Sequence, residues 1–220
     1  MLSNEVLSSR EDLKEKLKGP VVVLEDALDA EVAKELQSEL LKSGEWVRED
    51  GSTWGKLGYQ PGRFEVTRDS INIASEDAPA ALKSLFRYLM APETREWFSY
   101  ASGQKLDRFI GSAAVFHQGD GISEHNDDHV FTDGENVYRR ALTFNYYLST
   151  DWEAAWGGNL VWKSPRMVIT PSFNKLVLFN VRPSSHHWVE AVRCETPHKR
   201  LSITGWYLTK IEKENFSLDI

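Results

Sequence analysis

The residues best suited to chemistry are His125, Asn126 and Asp127. On a strand, residues i and i+2 face the same way. The H-x-D spacing therefore predicts an imidazole and a carboxylate side by side on one face. Alone, this pattern fits two polar residues near a turn. Later residues change its weight. His186-His187 stand in a second apolar run, and Arg200 opens a third, Leu201-Ser202-Ile203-Thr204-Gly205-Trp206. The order is His, Asp, a histidine 187 − 125 = 62 residues on, then an arginine 200 − 187 = 13 beyond it. Two imidazoles and one carboxylate on one face of a metal leave three positions open, the arrangement of non-haem Fe(II) oxygenases. Those positions suit a bidentate co-substrate and O2. A buried arginine nearby suits the co-substrate's carboxylate, through its planar fork.

These residues need a β framework, and the second half of the chain provides its pattern. From about Leu106, short apolar or alternating runs recur between turn residues: Arg108–Phe116, Ile122–Asp127, Ala141–Leu148, Asn159–Trp162, Met167–Thr170, Lys175–Val181, Ser185–Val192 and Leu201–Thr209. Eight short strands without intervening helices predict a jelly roll. The first hundred residues read as mostly helical. Ser9 precedes Arg10-Glu11-Asp12 in a capping-box pattern, with Leu13 and Leu17 one turn apart and Gly19-Pro20 as the stop. Val21-Val22-Val23-Leu24 reads as a buried strand. Asp29 caps a helix striped by Val32, Leu36 and Leu40 and ended by Gly44. Two more helices are expected, Pro79 to about Met90 and Pro92 to about Ala101, the latter stopped by Gly103. The expectation is α+β: one domain over 1–220, with 1–105 a mostly helical support plus a loop, and 106–210 a jelly-roll (double-stranded β-helix) core.

The chain resembles the Fe(II)/2-oxoglutarate dioxygenases, specifically the prolyl-hydroxylase-like group that includes the hypoxia-sensing and ribosomal prolyl hydroxylases. The resembling segments are Phe116–Asp120, His125–Asp127, Arg140–Leu148, Asp151-Trp152, Trp156–Leu160, Asn174–Phe179, Ser185–Val189 and Arg200–Tyr207. The resemblance implies that His125, Asp127 and His187 ligate iron, and its spacing selects His187 over His186. It implies that Arg200 and Tyr147 bind the distal carboxylate of 2-oxoglutarate, and that Leu160 and Thr204 are wall positions. Thr143, Asn145 and Tyr147 share a strand face by alternation and are expected to line the same pocket. Two departures stand out. Phe116, 125 − 116 = 9 residues before the first ligand, replaces a tyrosine common in the family. Asn145 replaces an aliphatic residue, and a buried amide needs partners. Arg140 matches an arginine near the substrate mouth, and Trp206 is taken with it as a substrate residue. The Gly-rich stretch 49–63, with Trp54 and Tyr59, resembles a substrate-covering loop. The implied cofactors are Fe(II), 2-oxoglutarate and O2, with ascorbate supportive.

Composition removes other classes. Lys plus Arg is 26 against 33 Asp plus Glu, a net charge of −7, with no basic stripe for nucleic acid. No apolar run approaches the roughly 20 residues of a membrane helix, and the start lacks a secretory pattern. A single cysteine, Cys194, without an evident activating partner fits a reducing cytoplasm. The expected activity is hydroxylation of an unactivated C–H bond, on a prolyl residue of a protein. A small amino acid or natural-product intermediate is the alternative substrate. A non-catalytic metal- or sugar-binding jelly roll, or a cupin-like Zn or Mn enzyme, is the alternative class. Oligomeric state is not readable from the residues.

Overall fold

The computed structural model describes residues 1–50, 65–193, 195 and 197–212. Trp54, Tyr59, Cys194 and nearly all of the Gly-rich 49–63 stretch lie outside them. Twelve strands form one continuous, mostly antiparallel sheet that folds over on itself. They are β1 (Val22–Leu24), β2 (Val47–Glu49), β3 (Val66–Asn72), β4 (Arg108–Phe116), β5 (Gly121–His125), β6 (Val130–Asp133), β7 (Asn136–Tyr147), β8 (Leu160–Trp162), β9 (Met167–Ile169), β10 (Lys175–Asn180), β11 (His187–Val189) and β12 (Arg200–Ile211). The larger layer runs β1-β10-β7-β12-β4-β3, with β2 added beyond β3 and β6 beside β7. The smaller layer is β5-β11-β8-β9. Strand β3 joins the two: Asp69–Asn72 pair with β4, whereas Val66 and Thr67 pair with β5. This is an α+β fold with a double-stranded β-helix core.

Among the described residues five α-helices cover the larger layer: α1 (Asn4–Ser8), α2 (Arg10–Lys16), α3 (Ala30–Lys42), α4 (Ala80–Met90) and α5 (Pro92–Ser102). Asp29 caps α3, accepting hydrogen bonds from the N–H groups of Glu31 and Val32. Gly103 ends α5 with φ of 71°, the left-handed conformation glycine adopts without strain. The apolar stripes of these helices meet Leu142, Phe144 and Tyr146 of β7 and Leu201, Ile203 and Tyr207 of β12 in one buried cluster. The opposite face of the same strands looks into the barrel, where Ala114, Phe116, Tyr147, Leu160, Val177 and Val189 form a second cluster. With both faces covered, β7 is buried continuously from Ala141 to Tyr147, which is why its sequence reads as an unbroken apolar run.

Several elements differ from expectation. Helix α1, before Ser9, was not anticipated, and Ser9 caps α2 without a side-chain hydrogen bond, its hydroxyl being given to the Val6 carbonyl. Strand β1 is an edge strand rather than a buried one: it pairs only with β10, and Val23 is exposed. Strands β2 and β6 are three and four residues long and contain no fully buried residue, too short for an alternating hydrophobic signal. Strand β5 stops at His125, and Asp127 follows it in irregular backbone. Alternation along one strand is therefore not what aligns the two residues.

Candidate metal centre and co-substrate pocket

His125 ends β5 and His187 begins β11, and the two face each other directly in the sheet register. Their rings lie 4.3 Å apart, centroid to centroid. Asp127 Oδ1 is 3.7 Å from His125 Nε2, and Oδ2 is 3.8 Å from His187 Nε2. One donor atom from each of the three lies within 4.8 Å of the others. Each imidazole is fixed by the same local device. Nδ1–H of His125 donates to the Ser123 carbonyl at 2.8 Å, and Nδ1–H of His187 donates to the Ser185 carbonyl at 2.8 Å. A proton held on Nδ1 leaves the Nε2 lone pair for a metal. The Trp162 ring stacks parallel to His187 and Phe179 meets it edge-on, so this imidazole is held on both sides. Hence the donor set fits a divalent transition metal of the non-haem iron type.

Electrostatics favour the ligating forms. Burial and the neighbouring His187 push His125 down to about 4, keeping it neutral at physiological pH. Burial works to raise the Asp127 carboxyl. The two imidazoles and Arg140 outweigh it and hold the group below its ordinary value. The Trp206 indole N–H contributes to that lowering, yet its nitrogen is buried without a hydrogen bond of good geometry.

Arg200, at the start of β12, is 2 % exposed. Its Nε donates to the Gly158 carbonyl at 2.7 Å and Nη1 to Ser202 Oγ at 3.2 Å. Its guanidinium lies 4.1 Å from the Phe116 ring centroid and 5.4 Å from that of Tyr147. Among the described residues no carboxylate forms a salt bridge with it. Burial lowers its pKa to about 10, so it remains a cation at neutral pH. A buried cation without a counter-ion is costly, and the dianion of a dicarboxylate would relieve that cost. Gly158 makes room for this arginine. Its φ is +66°, and an added Cβ would sit 3.0 Å from Arg200 Cδ.

One cavity connects the two groups. Its lining contains His125, Asp127 and His187 together with Asn145, Tyr147, Leu160, Arg200 and Thr204, and also Arg140 and Trp206. Arg140 stacks on Trp206 at 3.6 Å, with Nη1 3.7 Å from Asp127 Oδ1. Among the described residues the buried Asn145 Oδ1 has no hydrogen-bond partner, and the residue lines the cavity. Thr143 differs from expectation. It is not part of the lining. It is buried behind Asp127 and donates to Oδ2 at 2.8 Å. His186 points away from the cavity, half-buried, with Nδ1 3.2 Å from Glu124. Arg68 is a lining residue that sequence analysis did not single out. The only signal was a charge two residues after Val66 on a strand, and such charges are usually solvated.

A double-stranded β-helix enclosing a His-Asp-His cluster defines a non-haem iron oxygenase framework. Residues 111–208 match the family model of the 2OG-Fe(II) oxygenase superfamily, and the chain is similar in sequence to curated prolyl hydroxylases. It is 34% identical over 134 residues to Prolyl 3-hydroxylase OGFOD1 of Mus musculus, covering 56% of this chain and 23% of the relative. It is 30% identical over 207 residues to Prolyl 3,4-dihydroxylase OGFOD1 of Ostreococcus tauri, covering 87% of this chain and 38% of the relative. The chain thus spans well under half the length of these relatives. Among solved structures, a Pseudomonas putida prolyl-4-hydroxylase superposes with a TM-score of 0.66 at 17% identity, covering 90% of this chain and 98% of that one. A Trichoplax adhaerens prolyl hydroxylase bound to a hypoxia inducible factor peptide gives 0.68 at 17%, covering 92% and 90%. At these identities the structural likeness speaks to fold alone.

Proposed function

We propose that this protein is an Fe(II)- and 2-oxoglutarate-dependent dioxygenase that hydroxylates a prolyl residue of a protein. The observation that carries the reading is the pairing of two features in one cavity: an inward-facing His125–Asp127–His187 donor set and the buried Arg200, which has no counter-ion among the described residues. His125, Asp127 and His187 would hold the iron. Arg200 would bind the distal carboxylate of 2-oxoglutarate, with Tyr147 and Thr204 beside it, Asn145 offering an amide and Leu160 an apolar wall. Bound ferrous iron would supply the O2 activation that no side chain provides. The chain's own contribution is to orient both reactants and to exclude water with the apolar walls of the cavity. Ascorbate would support turnover by keeping the iron reduced.

The prolyl substrate is inferred from the names of the curated relatives and from Arg140 and Trp206 at the cavity wall. That 1–220 acts as one unit is supported by the cluster shared between helices and strands and by Asn180, whose Nδ2 reaches the carbonyls of Leu17 and Ser102. Among the described residues no helix is long and apolar enough to cross a membrane. A cytoplasmic setting rests on the single cysteine. Incubation with Fe(II), ascorbate, labelled 2-oxoglutarate and prolyl-containing peptides tests the reading. Release of labelled CO2 and a gain of one oxygen on a proline are expected. Failure to bind or consume 2-oxoglutarate would overturn it.

A further inference from the structure

Arg68 is 5 % exposed, on β3, in the same cavity as Arg200. Val66 and Arg68 share the inward face of the strand by alternation, and both line the cavity. The β3–β4 register runs through Asp69 opposite Val115, which brings Arg68 level with Phe116. On the other side of β4, Phe116 pairs with Arg200. Arg68 and Arg200 thus stand on the two strands that flank Phe116, and the Arg200 guanidinium lies 4.1 Å from its ring centroid. The ring has no polar atom, so the cationic donors beside it are the two arginines.

Arg68 is aimed by a clamp. Its Nε donates to Glu49 Oε2 at 2.7 Å, while Ser70 Oγ donates to Glu49 Oε1 at 2.6 Å. Among the described residues Nη2 has only a long contact, 3.4 Å to Ser112 Oγ. One edge of the fork is therefore committed to Glu49, and the rest is left for the cavity. A surface arginine would sample many rotamers, whereas this one is preorganised, which lowers the entropy lost on binding. Its charge is also close enough to contribute to the lowered pKa of Arg200. The two cations repel, and a shared anion would relieve both.

We propose that Arg68 is a second co-substrate-binding residue, acting with Arg200 on a 2-oxoglutarate-type dicarboxylate. This rests on the proposed co-substrate. The test is calorimetric titration of 2-oxoglutarate into the Fe(II)-loaded protein without oxygen. Arg68→Met should weaken binding by roughly 10- to 100-fold, the loss of a hydrogen bond to a charged group. Because that variant leaves Glu49 without its partner, Glu49→Gln/Arg68→Met is measured beside it, and the same weakening is expected there. Arg68→Lys keeps the charge but loses the fork, and should fall between. Wild-type affinity in the double variant, with melting temperature retained, overturns the role of Arg68 and makes it a strut between β2 and β3. No binding by the wild-type protein would instead overturn the co-substrate reading itself.

Discussion

Thr143 Oγ1 donates a hydrogen bond of 2.8 Å to Oδ2 of Asp127, sixteen residues away in sequence and on a different element. Asp127 lies beyond the end of β5, so its strand does not fix its carboxylate. The rigid centre of β7, buried on both faces, does so instead. A hydrogen bond from outside the donor set orients a carboxylate ligand and reserves its other lone pairs for the metal.

Thr143→Val keeps the shape and removes the hydroxyl. It should weaken Fe(II) or Mn(II) affinity by about 10- to 100-fold, and Thr143→Ser should recover most of the loss. Metal titration followed by intrinsic fluorescence checks this without turnover. An unchanged affinity in Thr143→Val would show that Asp127 is oriented by its own backbone.

The two adjacent histidines should behave oppositely. His187 is 4 % exposed and enclosed by Trp162 and Phe179, whereas His186 is half-buried beside the exposed Glu124. His187→Ala should abolish high-affinity metal binding and 2-oxoglutarate turnover. His186→Ala should leave metal affinity close to wild type, since a partly exposed His–Glu contact is worth about 0–1 kcal/mol. The opposite result would mean the sheet register is off by one residue.

Arg200 and Gly158 should fail together. Arg200→Ala should weaken 2-oxoglutarate binding by about 10- to 150-fold through loss of a charged hydrogen bond. Gly158→Ala touches no charge, but at φ +66° its new methyl would press on Arg200 Cδ. It should lower affinity for 2-oxoglutarate while sparing metal affinity, because the donor set lies elsewhere in the cavity. Equal loss of metal and co-substrate binding would point to general unfolding of the β8 entrance.

The spacing of His125, His187 and Arg200 was legible because each sits in or at the edge of a strand whose apolar neighbours mark it. The paired barrel faces of β7 were legible for the same reason, as a run too apolar to be half-solvated. Asp127 was found by a pattern whose stated cause, alternation, does not apply. Thr143 was placed on the correct face, but period two gives a direction and not a partner. Its hydroxyl meets Asp127 before it reaches the cavity. Arg68 was invisible because burial of a charge depends on Glu49 arriving from β2, a strand of three residues with no hydrophobic pattern. Long-range polar pairing of this kind leaves no local periodicity to read.

The other residue of β2 that reaches across the fold is Arg48. Its Nη1 donates to Asp120 Oδ2 at 2.8 Å and contacts Asp69 Oδ1 at 3.2 Å, while the backbone N–H of His117 also donates to Asp120. Asp120 is 1 % exposed. Burial acts to raise its carboxyl, and the Arg48 and His117 hydrogen bonds overcome it, so its pKa lies below the ordinary carboxylate value. A depressed folded pKa means that the unfolded chain binds the proton more readily. The pair therefore stabilises the fold above the unfolded carboxylate pKa of about 3.9, and the contribution is lost as pH falls through the lower folded value. Arg48→Met should cost about 1 kcal/mol at neutral pH. This is below the roughly 1.5–3 kcal/mol of a hydrogen bond to a charged group, because Arg48 itself is half exposed and screened. The variant's deficit should shrink as pH falls below the carboxylate range, where Asp120 is protonated in both proteins. Urea unfolding of the two proteins across that range measures it. A deficit that stays constant with pH would mean that Arg48 contributes by packing against β3 rather than through the charge of Asp120.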